Sequence, residues 1–168
     1  MRHAIIISTF ILIAFSSEIY SQNDILHLLR KYKNDSGVLY FDAVSLLKNK
    51  ITSTSDLKSE ITAADIYVFE GVNDVSASDK KKMNDFVQSK TFELLMDIKQ
   101  KGTESKLFVK EKGNFLEELV GIMHYDDYHI YIFAKGKIIY DELAKLGLNF
   151  NQGDGLELFD KVRKKDKS

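Results

Sequence analysis

Residues 115–135 read FLEELVGIMHYDDYHIYIFAK, and this block limits the fold more than any other part of the chain. Two apolar runs flank Asp126-Asp127, a pair suited to a two-residue hairpin turn. Folding the runs back on that turn sets Tyr125 opposite Tyr128 and His124 opposite His129. It also sets Ile122 opposite Tyr131 and Glu118 opposite Lys135. An aromatic pair, an imidazole pair and an opposite-charge pair arise in one register, and a one-residue slip would destroy all three. One face of the hairpin then carries Leu119, Met123, Tyr125, Tyr128, Ile130 and Ile132. The other carries Val120, Ile122, His124, His129, Tyr131 and Phe133. Both faces are apolar enough to need cover. A helix on one face only would leave the other as an exposed contact surface, and the sequence leaves both outcomes open.

The rest of the chain supplies elements to build around this hairpin. Asp24–Lys33 has Ile25, Leu28, Leu29 and Tyr32 at helical spacing, with Asp24 as its N-cap. Val38–Phe41 reads as a short buried strand, and Asp42 can cap a helix bearing Val44, Leu46 and Leu47. Lys48–Ser55 reads as loop, and Asp56–Thr62 as a further helical turn or two. Asp65–Glu70 is a strand of β-branched and aromatic residues. The spacing of Met83, Phe86, Val87, Leu94 and Ile98 predicts one long helix from Ser76 or Ser78 to about Lys101, with Gly102 closing it. It is expected to pack on the Leu119/Met123 face of the hairpin. Ser105–Lys110, Phe115–His124 and Tyr128–Lys135 form a three-strand meander. Its first turn, Gly113-Asn114, sets Lys110 against Glu117. Ile138–Leu146 reads as a last amphipathic helix ended by Gly147. The expectation is an α+β domain with a mixed sheet of about five strands. Two early strands have helical crossovers, and the meander follows.

Composition excludes several classes. The 168 residues contain no cysteine and no proline. Disulfides, thiolate nucleophiles, cysteine-held zinc and lipid attachment through cysteine are all ruled out. Formal charge is −1, which offers no global field for nucleic acid. Met1–Ser21 has a basic start at Arg2, an apolar run over Ala4–Phe15 and small or polar residues before Gln22. That is the layout of a secretory signal peptide, and the run is short for a membrane span. The expected organisation is a signal peptide over 1–21, a globular domain over 22–147 and a flexible polar tail over 148–168. The tail ends in five basic groups and one acid. The product is expected in the periplasm or outside the cell, not as a lipoprotein, with no transmembrane segment in the mature chain.

The leader, the segment KYKNDSGVLYFD, the long apolar-striped segment and the block FLEELVGIMHYDDYHIYIFAKGKIIYDELAKL together resemble the domain of unknown function catalogued as family 4252. The match is carried most by a strand, an acidic turn, a second strand and the step Gly136-Lys137-Ile138, and it spans about Asp24 to Gly147. The resemblance implies a small exported protein of a Gram-negative bacterium. The family brings no assigned activity, so no functional residues are carried over.

Candidate chemistry is sparse. Directly opposed strand residues have Cβ atoms about 5 Å apart, so His124 and His129 could share a transition-metal ion, with Asp126 or Asp127 adding a carboxylate. The competing reading places both rings on a half-exposed sheet face beside Tyr131 and Ile122. Glu117 and Glu118 are adjacent on a strand and so point to opposite faces, which excludes a carboxylate dyad. Asp126-Asp127 and Asn151–Gly155 lack the spacing of a calcium loop. No nucleophile elbow, phosphate loop or zinc-protease motif occurs. No cofactor is expected, and the reading leans away from an enzyme. It favours a binding or interaction module of the cell envelope, with Tyr131, Phe133, His124 and His129 as contacts for an envelope protein or small ligand.

Overall fold

The computed structural model describes residues 25–54, 56–88, 92–100, 102–143 and 145–146. The expected signal peptide over 1–21, the Asp24 cap, the Gly147 stop and the tail over 148–168 lie outside them. In chain order the elements are α1 (Ile25–Arg30), β1 (Val38–Asp42), α2 (Val44–Ser53), β2 (Glu60–Glu70), α3 (Ala77–Val87), β3 (Glu93–Gln100), β4 (Thr103–Lys112), β5 (Phe115–Tyr125) and β6 (Tyr128–Ile138). A 3-10 turn over Tyr140–Glu142 follows. The strands form one open six-stranded sheet in the order β1-β2-β6-β5-β4-β3. Every neighbouring pair is antiparallel, so the expected mixed sheet of five strands is corrected to an antiparallel one of six. No helix among the described residues is long and apolar enough to cross a membrane.

The extra strand is β3, which occupies the second half of the expected long helix. Glu93, Leu94, Leu95 and Met96 are good helix formers, but Met96 and Ile98 also alternate as a strand does, with Leu95 an extra residue before them. Pairing decides between the two. β3 adds to β4 with Lys99 opposite Glu104 and Gln100 opposite Thr103. Gly102, expected to cap a helix, instead turns this hairpin at φ +75°. α3 keeps the expected start, since the Ser76 hydroxyl accepts from Asp79 N. The terminal helix is also corrected. β6 runs on to Ile138, and a 3-10 turn stands where the helix was expected; Leu146 N still donates to Glu142 O at 2.9 Å, and Glu142 itself is buried. Its carboxylate accepts from Lys58 N at 2.8 Å, Ser59 N at 2.9 Å and Ser59 Oγ at 2.6 Å. Burial pushes the Glu142 carboxyl up, but these bonds outweigh it and hold the group below its ordinary range. α2 extends to Ser53, through the first part of the expected loop. Glu60–Thr62, expected to be helical, begins β2.

Two apolar clusters flank the sheet. Leu119, Met123, Ile130 and Ile132 meet Leu47 of α2 and Leu143 and Leu146 of the terminal turn. On the opposite side Val120, Tyr131 and Phe133 meet Ile25, Leu26 and Leu29 of α1 and Met83 and Val87 of α3. The division of hairpin residues between faces is as expected. The cover is exchanged: α3 lies on the His/Tyr/Phe face, not on the Leu119/Met123 face.

A row of irregularities crosses one end of the sheet. Thr62 is extra in β2 against β6, Gly136-Lys137 face the single residue Glu117, and Glu117 is extra in β5 against β4. Gly136 is the tightest point, with φ +154°. A Cβ built there would lie 2.0 Å from the Glu60 carbonyl oxygen, a backbone atom with no room to retreat. The Gly136-Lys137-Ile138 step is therefore a bulge in β6. Gly136→Ala should lower unfolding free energy by about 3 kcal/mol, read from the denaturation midpoint, because strain and overlap coincide.

Candidate functional site

The β5–β6 tip forms in the register set by its turn: Tyr125 opposite Tyr128, His124 opposite His129, Ile122 opposite Tyr131 and Glu118 opposite Lys135. Asp126 takes the left-handed conformation the turn needs, at φ 49°, which a short polar side chain tolerates. The two imidazoles stack, with centroids 4.3 Å apart and planes 21° from parallel. Their in-plane lone pairs therefore run side by side and do not converge on one point. Among the described residues, no group of three or more His, Asp or Glu is arranged to hold a metal ion. Asp126 stands exposed on the turn. The carboxylate that reaches His129 is Asp74, with Oδ2 3.1 Å from Nδ1.

Asp74 was not legible in the sequence as part of this site. It lies in the loop between β2 and α3 and gathers four groups. Tyr131 Oη donates to Oδ1 at 2.7 Å, Val75 N donates to the same oxygen at 2.7 Å, His129 approaches Oδ2, and Lys80 Nζ pairs with Oδ2. The loop is tied to the hairpin again where Gly71 N donates to Asp127 O at 2.8 Å. Burial, with Asp74 adding to it, holds the Tyr131 hydroxyl proton far above the usual phenol range. Burial also pulls the His129 imidazole below its ordinary 6.5; Asp74 opposes the shift, while His124 and Lys80 reinforce it. His129 is thus uncharged at neutral pH, and the Asp74 contact favours the ring proton on Nδ1.

The four expected contact residues separate. Tyr131 and Phe133 are buried under α1 and α3 and are removed from any contact surface. His124 is exposed and His129 partly so. The roof that buries the aromatics is fastened by Asp79, a buried carboxylate in the first turn of α3. Tyr32 Oη donates to it at 2.6 Å, Ser76 Oγ at 2.8 Å, and Lys31 and Lys82 pair with it. Tyr32 Oη in turn accepts from Ser76 N at 2.9 Å, so the end of α1 is locked to the start of α3.

Glu117 and Glu118 are corrected as well. Both carboxylates reach Lys110 Nζ, at 3.1 and 3.5 Å, because the bulge at Glu117 breaks the alternation that would send them apart. The same bulge places Lys110 opposite Glu118 instead of Glu117. Lys112 and Lys135 complete the cluster, so these carboxylates serve ion pairs.

Two measurements check these electrostatics. An NMR pH titration should find His129 ionising below 6.5, and Asp74→Asn should lower it further by removing a charge that favours the imidazolium. For Asp79, the Lys31 contact first and the Tyr32 hydroxyl second hold the folded carboxyl far below its ordinary 3.8. A depressed folded value means stability present in full above 3.8 and lost as pH falls below it. The stability gap between the native chain and Asp79→Asn should therefore be widest near neutrality and narrow below pH 3.8 in acid unfolding curves.

No curated protein and no solved structure matches the chain. A family model does, that of the domain of unknown function DUF4252, over residues 23–146 of the 168. The matched stretch takes in every element from α1 to the Glu142 turn, including the stacked imidazoles and the Gly136 bulge, and the chain belongs to the DUF4252 family.

Proposed function

We propose that this protein is an exported, non-enzymatic binding module of the cell envelope. Its contact surface is the end of the sheet where the β5–β6 tip meets the loop after β2. Export rests on the Met1–Ser21 leader, with its basic start and its apolar run. The binding reading rests on one observation: Val72 is fully exposed at the loop crest, beside a hairpin tip carrying exposed His124 and half-exposed Tyr125, Tyr128 and His129. The Gly71–Asp127 bond and the four-way Asp74 junction hold this crest in place, so little conformational entropy remains to be lost on binding. The tyrosines of the tip are of the aromatic type that interfaces favour. A non-enzymatic role is favoured because Asp74, Asp79 and Glu118 are each already engaged by tyrosine, histidine or lysine partners.

The test is site-specific photo-crosslinking in the native cell. A photoreactive residue replacing Val72 should give one discrete adduct in the envelope fraction. The same residue replacing Thr52, exposed on α2, should give none. Equal labelling from both positions, or none from either, overturns the reading.

A further inference from the structure

Two titratable rings face each other at the β5–β6 tip, and one of them ties the tip to the loop after β2. His124 and His129 stack with centroids 4.3 Å apart. Neutral imidazoles stack as other flat rings do. Two imidazolium rings at that separation are like charges in close contact, and they repel. His124 is exposed, but only 25% of the His129 side chain is open to water. A charge on His129 is therefore poorly hydrated.

The surrounding groups offer the stack little counter-charge. Asp74 Oδ2 lies 3.1 Å from His129 Nδ1, but it also pairs with Lys80 of α3. Its other oxygen accepts from Tyr131 Oη and Val75 N. Glu104 of β4 stands directly opposite His124, and its carboxylate is taken by Lys106 at 2.9 Å and Lys99 at 3.5 Å. These three lysines already outnumber the two acids. From β2 the residue opposite His129 is the uncharged Phe69. Glu70, Asp126 and Asp127 stand exposed at the rim, where water and salt screen them.

We propose that the stacked pair is an acid-opened latch: neutral rings hold the β5–β6 tip against the loop after β2, and protonation releases that loop with the Val72 crest it carries. The latch belongs to the fold and operates whatever the crest binds. Burial pulls the His129 imidazole below its ordinary 6.5, which agrees in sign. A ring lowered in the closed form takes up its proton on opening. The stability it lends the closed form is present in full above 6.5 and is lost as pH falls below it. The carboxyls held low in the folded chain, Asp79, Glu104, Glu117 and Glu142, all titrate under 4.5, outside that window.

Amide exchange by NMR, corrected for the intrinsic effect of pH, reads the latch at one bond, from Gly71 N to Asp127 O. Its protection should fall several-fold between about pH 7.5 and about pH 5, the range over which histidine gains its charge. Protection of Ala43 N, which donates to Ala64 O where β1 meets α2, should hold over the same range. His129→Gln should remove the dependence on pH. If that variant loses the loop altogether, His124→Gln, which leaves the Asp74 contact in place, should still show a smaller fall than the native chain. The latch is overturned by equal protection of Gly71 at both pH values in the native chain, by an undiminished fall in His124→Gln, or by a fall that Ala43 shares.

Discussion

The central strands β2, β6 and β5 are apolar on both sides, and that constraint organises the rest. In β6 the sequence YHIYIFA puts Ile130, Ile132 and Ala134 on one face and Tyr131 and Phe133 on the other, all buried. A sheet of this kind is stable only with cover on both faces, because each fully exposed large apolar side chain forgoes about 2 kcal/mol. Short helices provide it. α2 and the terminal turn close one side, and α1 with α3 close the other. The crossover from β2 through α3 to β3 then follows: α3 must traverse the aromatic face, which delivers the chain to the far edge. The β3–β6 meander walks back to β2.

Three acids, two buried and one half-buried, fasten parts of the cover. Asp79 joins α1 to α3, Glu142 binds the terminal turn to the start of β2, and Asp74 seats the loop before α3 on the hairpin. Each accepts several hydrogen bonds or cations, so the cost of burying the charge is met locally. The His124–His129 stack belongs to this system. It stands at the rim where the aromatic face runs out from under its roof, and Asp74 holds one of its rings. The same cover that removes Tyr131 and Phe133 from the surface leaves the hairpin tip and Val72 as the exposed end of the sheet.

The row of bulges at the opposite end has a separate role. Successive extra residues in β2, β6 and β5 break the strict two-residue alternation across three strands. Gly136 permits the closest approach, and Glu117 and Glu118 come together on Lys110 as a result. Alternation read straight through this region mispairs Lys110 by one residue. The ladder on the other side of the bulge, from Glu118 to Tyr125, obeys it.

Local chemistry alone determined the β5–β6 hairpin, its turn and the partition of its residues between faces. Two-residue turns and cross-strand pairs act between near neighbours, and any slip would have reversed every side chain. The Ser76 cap, the early strand at Val38 and the family resemblance were legible for the same reason. Whether Glu93–Gln100 became helix or strand was decided only by the unsatisfied edge of β4, a partner invisible to helical periodicity. Tertiary structure also chose which helix covers which face, drew Asp74 to Tyr131 across 57 positions of chain, and tied Glu142 to Ser59 across 83. Those outcomes depend on long-range closure, where the free energy of satisfying a buried group outweighs the small preferences that a stretch of sequence carries by itself.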